Sequence, residues 1–100
     1  MKYGKLRSAD KEVFESVVSM FKAHGLDCAL HGTSLWNSAY KDIDLLVIGG
    51  TVGDFRKALS EIKKVYDYTL EFEKGNADVG LDLEIIIGEV VLHISYVLIL

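Results

Sequence analysis

One hundred residues are enough for one small domain with a single core, and a chain of that size buries only about two-thirds of its unfolded surface. Half the residues are apolar and 26% are charged, a globular balance, and no run approaches the ~18–20 uninterrupted apolar residues of a membrane-spanning helix. A net charge of −4 argues against passive nucleic-acid binding through a clustered basic surface.

The single cysteine, Cys28, excludes an internal disulfide and a cysteine-only zinc site, and its apolar setting reads as a small buried hydrophobe. The amino terminus, MKYGKLRSADKE, lacks the apolar core of a secretory signal, so a single domain over residues 1–100 and a cytoplasmic location are expected.

In chain order, Ser8 is placed to cap a helix whose apolar residues Val13, Phe14, Val17, Val18, Met20 and Phe21 form one stripe. Gly25 is a good stop, and Asp27 to Leu30 reads as a short strand leading into His31-Gly32-Thr33-Ser34. One or two helical turns are expected over Ser34 to Tyr40. Asp42 to Ile48 follows as a strand with apolar residues on both sides, which predicts an interior strand covered on both faces.

Gly49, Gly50 and Gly53 mark a loop before a second helical pattern across Asp54 to Lys64, with Phe55, Ala58, Leu59, Ile62 and Val65 recurring at helical spacing and Arg56, Lys57, Lys63 and Lys64 mostly solvated on the outer face. Tyr66 to Lys74 alternates as a half-exposed strand. A turn at residues 75–78 leads to the strand Val79 to Ile87, and Gly88-Glu89 turns the chain into a last strand, Val90 to Ile99. The expected class is α+β, a single mixed sheet packed with helices.

Successive side chains of a strand point to opposite faces, so Asp42 and Asp44 share one face while Ile43 points away. Two carboxylates so placed repel each other unless a cation or a proton intervenes, and they suit a divalent metal. Asp82 and Glu84 form a similar pair on a later strand, and either is a candidate third carboxylate. His24, His31 and His93 have no metal-ligand spacing, and His31 reads as a packing or backbone-bonding residue.

The run Gly32-Thr33, eight intervening residues, then Asp42-Ile43-Asp44-Leu45-Leu46-Val47, with Leu81-Asp82-Leu83-Glu84-Ile85-Ile86 further on, resembles the signature of the DNA polymerase β-like nucleotidyltransferase superfamily, in particular its minimal nucleotidyltransferase branch. The resemblance implies a polymerase β palm-like core and the transfer of a nucleoside monophosphate from a nucleoside triphosphate to a protein or nucleic-acid hydroxyl. It implies Asp42, Asp44 and Asp82 as the catalytic carboxylates, holding Mg²⁺ or Mn²⁺, and Gly32, Thr33 and Ser34 as the turn that grips the triphosphate.

Lys41 stands in part for an arginine that many members carry in the short helix, where Leu35 to Tyr40 has no basic residue. Trp36 or Tyr40 is a candidate platform for the base. The size and the apolar stretch Val90 to Leu100 suggest a homodimer or a partner chain, and in the minimal branch that partner is often a small helical protein in a toxin–antitoxin pair. Thr at the usual Ser position and the missing arginine motivate an alternative, a catalytically inactive nucleotidyltransferase-fold binding subunit. A third alternative is an ordinary α+β interaction domain in which the acidic residues are incidental.

Overall fold

The computed structural model describes residues 4–32, 37–76 and 78–98. The chain runs α1 (Ser8–Ala23), β1 (Asp27–His31), β2 (Ile43–Ile48), α2 (Val52–Tyr66), β3 (Thr69–Asn76), β4 (Gly80–Ile87) and β5 (Val90–Val97). The strands form one five-stranded sheet in the order β1-β2-β5-β4-β3. β2 and β5 are parallel, and the other pairs are antiparallel. This is the α+β class with one mixed sheet that the element order predicts.

Alternation explains which face is covered. Ile43, Leu45 and Val47 of β2, Leu81, Leu83, Ile85 and Ile87 of β4, and Leu92, Ile94 and Tyr96 of β5 are buried with Phe14, Val17 and Phe21 of α1 and Phe55, Ala58 and Ile62 of α2. Phe55 stacks between Phe21 and Tyr96, with ring centroids 5.5 and 4.5 Å apart. Burying each such side chain contributes about 1.5–3 kcal/mol.

The expectation that β2 is covered on both faces is corrected. Asp44, Leu46 and Ile48 are only half-buried, because both helices pack on the other side of the sheet. β2 is interior because β1 and β5 flank it. Within the apolar carboxyl-terminal stretch, Val90–Val97 is the central strand β5: Leu92, Ile94 and Tyr96 are buried in the core, Val97 is exposed, and residues 99 and 100 lie outside the described residues.

Local boundaries have local causes. Ser8 is the first helical residue and not the cap; Arg7 is the cap, and its backbone N–H donates to the Tyr40 hydroxyl at 2.9 Å. Gly25 ends α1 with φ +79, where Leu26 N–H reaches back to the Phe21 carbonyl. α2 starts two residues before the predicted Asp54 because Thr51 and Asp54 form a reciprocal capping box. Its last turn takes in Tyr66, expected in β3, and Asp67 caps it in the left-handed conformation.

Residues 37–40 form a turn in which Asn37 Oδ1 accepts from Ala39 N–H at 2.9 Å, and no short helix occurs between β1 and β2 among the described residues. Strand β3 is exposed along its whole length, an edge strand and not a half-buried one. Cys28 is partly buried, and burial pushes its thiol pKa up to about 12, which leaves it an unreactive packing residue at neutral pH.

Candidate metal and nucleotide site

The open face of the sheet collects the polar residues that the core rejects. Asp42 immediately precedes β2, and Asp44 follows Ile43 on the face away from the helices. In the sheet register Asp44 lies opposite His31 of β1 on one side and His93 of β5 on the other. Three strands therefore converge on one carboxylate.

Gly32 closes the site from the β1 end. Its φ is +78, and a Cβ built there would overlap Asp44 Oδ2 and lie 2.9 Å from Asp44 Cγ. Both the backbone conformation and the close approach require glycine. Thr33 and Ser34, the other phosphate-turn candidates, and Trp36 lie outside the described residues. Lys41 is exposed beside Asp42.

Tyr40 is 4% exposed, and its hydroxyl bonds to Asp10 and to the backbone N–H of Arg7. The Arg7 guanidinium sits 4.2 Å from its ring centroid. Tyr40 thus clamps the start of α1 and is not open to a nucleotide base.

His93, set aside above for want of metal-ligand spacing along the chain, occupies the centre of the cluster, because strand pairing and not sequence spacing brings it to Asp44. Its Nδ1 lies 3.0 Å from Asp44 Oδ1 and its Nε2 lies 2.6 Å from Asp82 Oδ1. The Ser95 hydroxyl donates to the same Asp82 oxygen at 3.0 Å, and Lys74 Nζ is 3.9 Å from Asp82 Oδ2. Of the Asp82/Glu84 pair, Asp82 is the one joined to the cluster, although Glu84 is the residue opposite His93 in the register. Phe72 of β3 flanks the imidazole, with ring centroids 5.9 Å apart.

Side-chain exposures of 21% for Asp44, 28% for His93 and 33% for Asp82 leave the group reachable from solvent. Burial works against the charged imidazolium, but the hydrogen bond to Asp44 and the charges of Asp82 and Asp44 outweigh it and raise the His93 pKa. His31, across β1, has a buried Nε2 with no hydrogen-bond partner among the described residues, so that atom does not make the backbone bond considered for it.

Asp42, Asp44 and His93 each offer one potential ligand atom, and the three atoms lie within 4.8 Å of one another. Two carboxylates and one imidazole fit a divalent cation. Asp82 stands outside that trio, on the far side of the imidazole. The signal that could have found His93 is the alternation of β5, where His93 and Ser95 are polar positions on the face opposite Leu92, Ile94 and Tyr96.

A pocket lined by Arg56, Ser60, Lys63, Tyr68 and Glu73 lies between α2 and β3. Leu83, a core-side residue, also lines it, so it opens on the other face of the sheet from the acidic cluster.

No protein-family model matches the sequence, and no curated protein matches it. Solved structures do share the fold. The chain superposes on Cid1, described as an RNA terminal uridylyl transferase, with a TM-score of 0.63 and 12% identity over 92% of this chain and 32% of that one. It superposes on the apo form of a tRNA-processing enzyme with a TM-score of 0.63 and 17% identity over 95% of this chain and 24% of that one.

A further structure, the Cid1 poly(U) polymerase with MgGTP bound, gives a TM-score of 0.57 at 9% identity over 92% of this chain and 33% of that one. The fold is therefore one that this chain shares with Cid1 and with the tRNA-processing enzyme. The chain spans about a quarter to a third of the length of the structures it matches. No helix among the described residues is long and apolar enough to cross a membrane.

Proposed function

We propose that this chain is a metal-dependent nucleotidyltransferase that moves a nucleoside monophosphate from ATP or another nucleoside triphosphate to a protein or nucleic-acid hydroxyl. The observation that carries the reading is the convergence of Asp42, Asp44 and His93 on one half-exposed spot of this fold, with Gly32 pressed against Asp44.

In the reaction the acceptor hydroxyl oxygen attacks the α-phosphorus and loses its proton to water, the bond from that phosphorus to the β-phosphate oxygen breaks, and pyrophosphate leaves. A bound Mg²⁺ or Mn²⁺ would supply charge neutralisation for the attacking and leaving oxygens. Asp42 and Asp44 would hold that ion through their carboxylates, beside the His93–Asp82 pair. Gly32 lets the backbone approach the triphosphate, Thr33 and Ser34 offer N–H and hydroxyl groups to it, and the exposed Lys41 adds positive charge beside Asp42.

For the acceptor-positioning surface we propose a second copy or a small helical partner of the toxin–antitoxin kind. Incubation with labelled ATP, GTP, CTP and UTP plus Mg²⁺ or Mn²⁺, with and without cell extract, tests the proposal. Label transfer that vanishes in Asp42→Asn/Asp44→Asn supports it, and no transfer under any condition refutes it.

One observation favours a second reading, an inactive binding subunit on the same fold. His93 already bridges Asp44 and Asp82, so the cluster satisfies itself without an ion. Nucleotide binding without transfer is the result that reading requires.

A further inference from the structure

The transferase proposal needs a cation, and the way His93 is held bears on which cation that is. The imidazole has two different neighbours. On the Nε2 side, Asp82 accepts at 2.6 Å and is itself fixed by the Ser95 hydroxyl at 3.0 Å. On the Nδ1 side lies Asp44 Oδ1 at 3.0 Å, and Asp42, Asp44 and His93 each offer one potential ligand atom within 4.8 Å of the others.

A histidine that ligates a metal through one nitrogen commonly donates its other N–H to a carboxylate, which fixes the tautomer and the ring orientation. Asp82 is placed to accept that bond. With Nε2–H donated to Asp82, Nδ1 keeps its lone pair on the side of Asp44 Oδ1, free to serve as the ligand atom of His93.

We infer that the protein ligands for a divalent ion are Asp42, Asp44 and His93 Nδ1, that Asp82 orients His93 and does not itself ligate, and that this set prefers Mn²⁺ to Mg²⁺. The inference rests on the metal-dependent reading above and sharpens it. Mg²⁺ is a hard ion that favours oxygen donors and octahedral hydration, whereas an imidazole nitrogen suits the later first-row ions, and Mn²⁺ accepts nitrogen and carboxylate oxygen together. In this arrangement Asp82 is a positioning residue.

The test uses Mn²⁺ alone, with no nucleotide, bound to the full chain and followed by isothermal titration and by electron spin-echo spectroscopy, which detects a directly coordinated ¹⁴N. Wild-type protein is expected to bind Mn²⁺ more tightly than Mg²⁺ and to show nitrogen modulation. His93→Gln removes the modulation, and His93→Asp removes it while shifting preference toward Mg²⁺. Asp82→Asn keeps the modulation and weakens binding about 10–100-fold.

Mn²⁺ binding without nitrogen modulation, lost in Asp82→Asn and untouched in His93→Gln, overturns the inference and leaves the transferase reading standing. Absence of Mn²⁺ binding to the wild type also overturns it. The label-transfer experiment is then read separately, because there the nucleotide brings its own metal.

Discussion

Gly32 and Asp44 are in such close contact that no side chain fits between them: a Cβ on Gly32 would overlap Asp44 Oδ2. The left-handed φ of +78 makes the same demand through the backbone. Gly32→Ala is therefore expected to cost about 1–2 kcal/mol from the left-handed conformation alone. It is also expected to weaken divalent-ion binding about tenfold by displacing the carboxylate, equivalent to ~1.4 kcal/mol. Urea unfolding and Mn²⁺ titration of the same protein measure the two effects, and an unchanged affinity would separate Gly32 from the site.

Metal binding is expected to register as stability. An ion that binds only the folded chain stabilises it by about 2.7 kcal/mol at a hundred times its dissociation constant. Thermal unfolding of the wild type should shift upward with Mn²⁺, and Asp42→Asn/Asp44→Asn should unfold at the same temperature with or without it. An equal upward shift in the double variant would place the ion elsewhere.

The aromatic stack is expected to dominate the core. Phe55 is fully buried between Phe21 and Tyr96, so Phe55→Ala should cost about 3–5 kcal/mol. Val65, 62% exposed at the end of the same helix, should cost no more than about 0.5 kcal/mol on replacement by alanine. Paired urea titrations check the contrast, and similar midpoints for the two variants would contradict the packing described.

Strand β3 is tied to α2 by Arg56 and Glu73, whose guanidinium and carboxylate meet in two hydrogen bonds of 2.5 and 3.0 Å. The Arg56 hydrogen bond holds the Glu73 carboxyl below its ordinary pKa. A depressed folded-state pKa means that the contribution is present above the unfolded value of about 4.3 and is lost as pH falls through the folded one. For so exposed a pair it is at most about 1 kcal/mol. The stability gap between wild type and Arg56→Met, measured by urea unfolding, should be open at pH 7 and close as the pH is lowered below 4. A gap that widens in acid would contradict the pairing.

Much of this architecture can be read along the chain, and the limits follow from distance along it. Phe55, Ala58, Leu59 and Ile62 recur with helical period, and Ile43, Leu45 and Val47 alternate, so α2 and β2 are local facts. Asp42 and Asp44 are legible as a pair for the same reason. The neighbour of β2, in contrast, is β5, and that parallel pairing joins Asp44 to His93 across 49 residues.

No local pattern sets such a register; the packing of Leu45 and Ile94 on the helix side does, and it carries His93 to Asp44 on the other. The same non-local choice explains why a stretch that reads as an apolar tail is the centre of the sheet. Tyr40 is a smaller instance, since its partners Arg7 and Asp10 lie 33 and 30 residues away.

The central claim, nucleotidyl transfer at the Asp42–Asp44 cluster, is tested most directly by comparing nucleoside triphosphates labelled at the α- or the γ-phosphate. With Mn²⁺ and acceptor present, the account predicts that α-label enters the acceptor, pyrophosphate is released, γ-label never transfers, and Asp42→Asn/Asp44→Asn abolishes the reaction. Transfer of the γ-label, or α-label transfer that persists in the folded double variant, would contradict it.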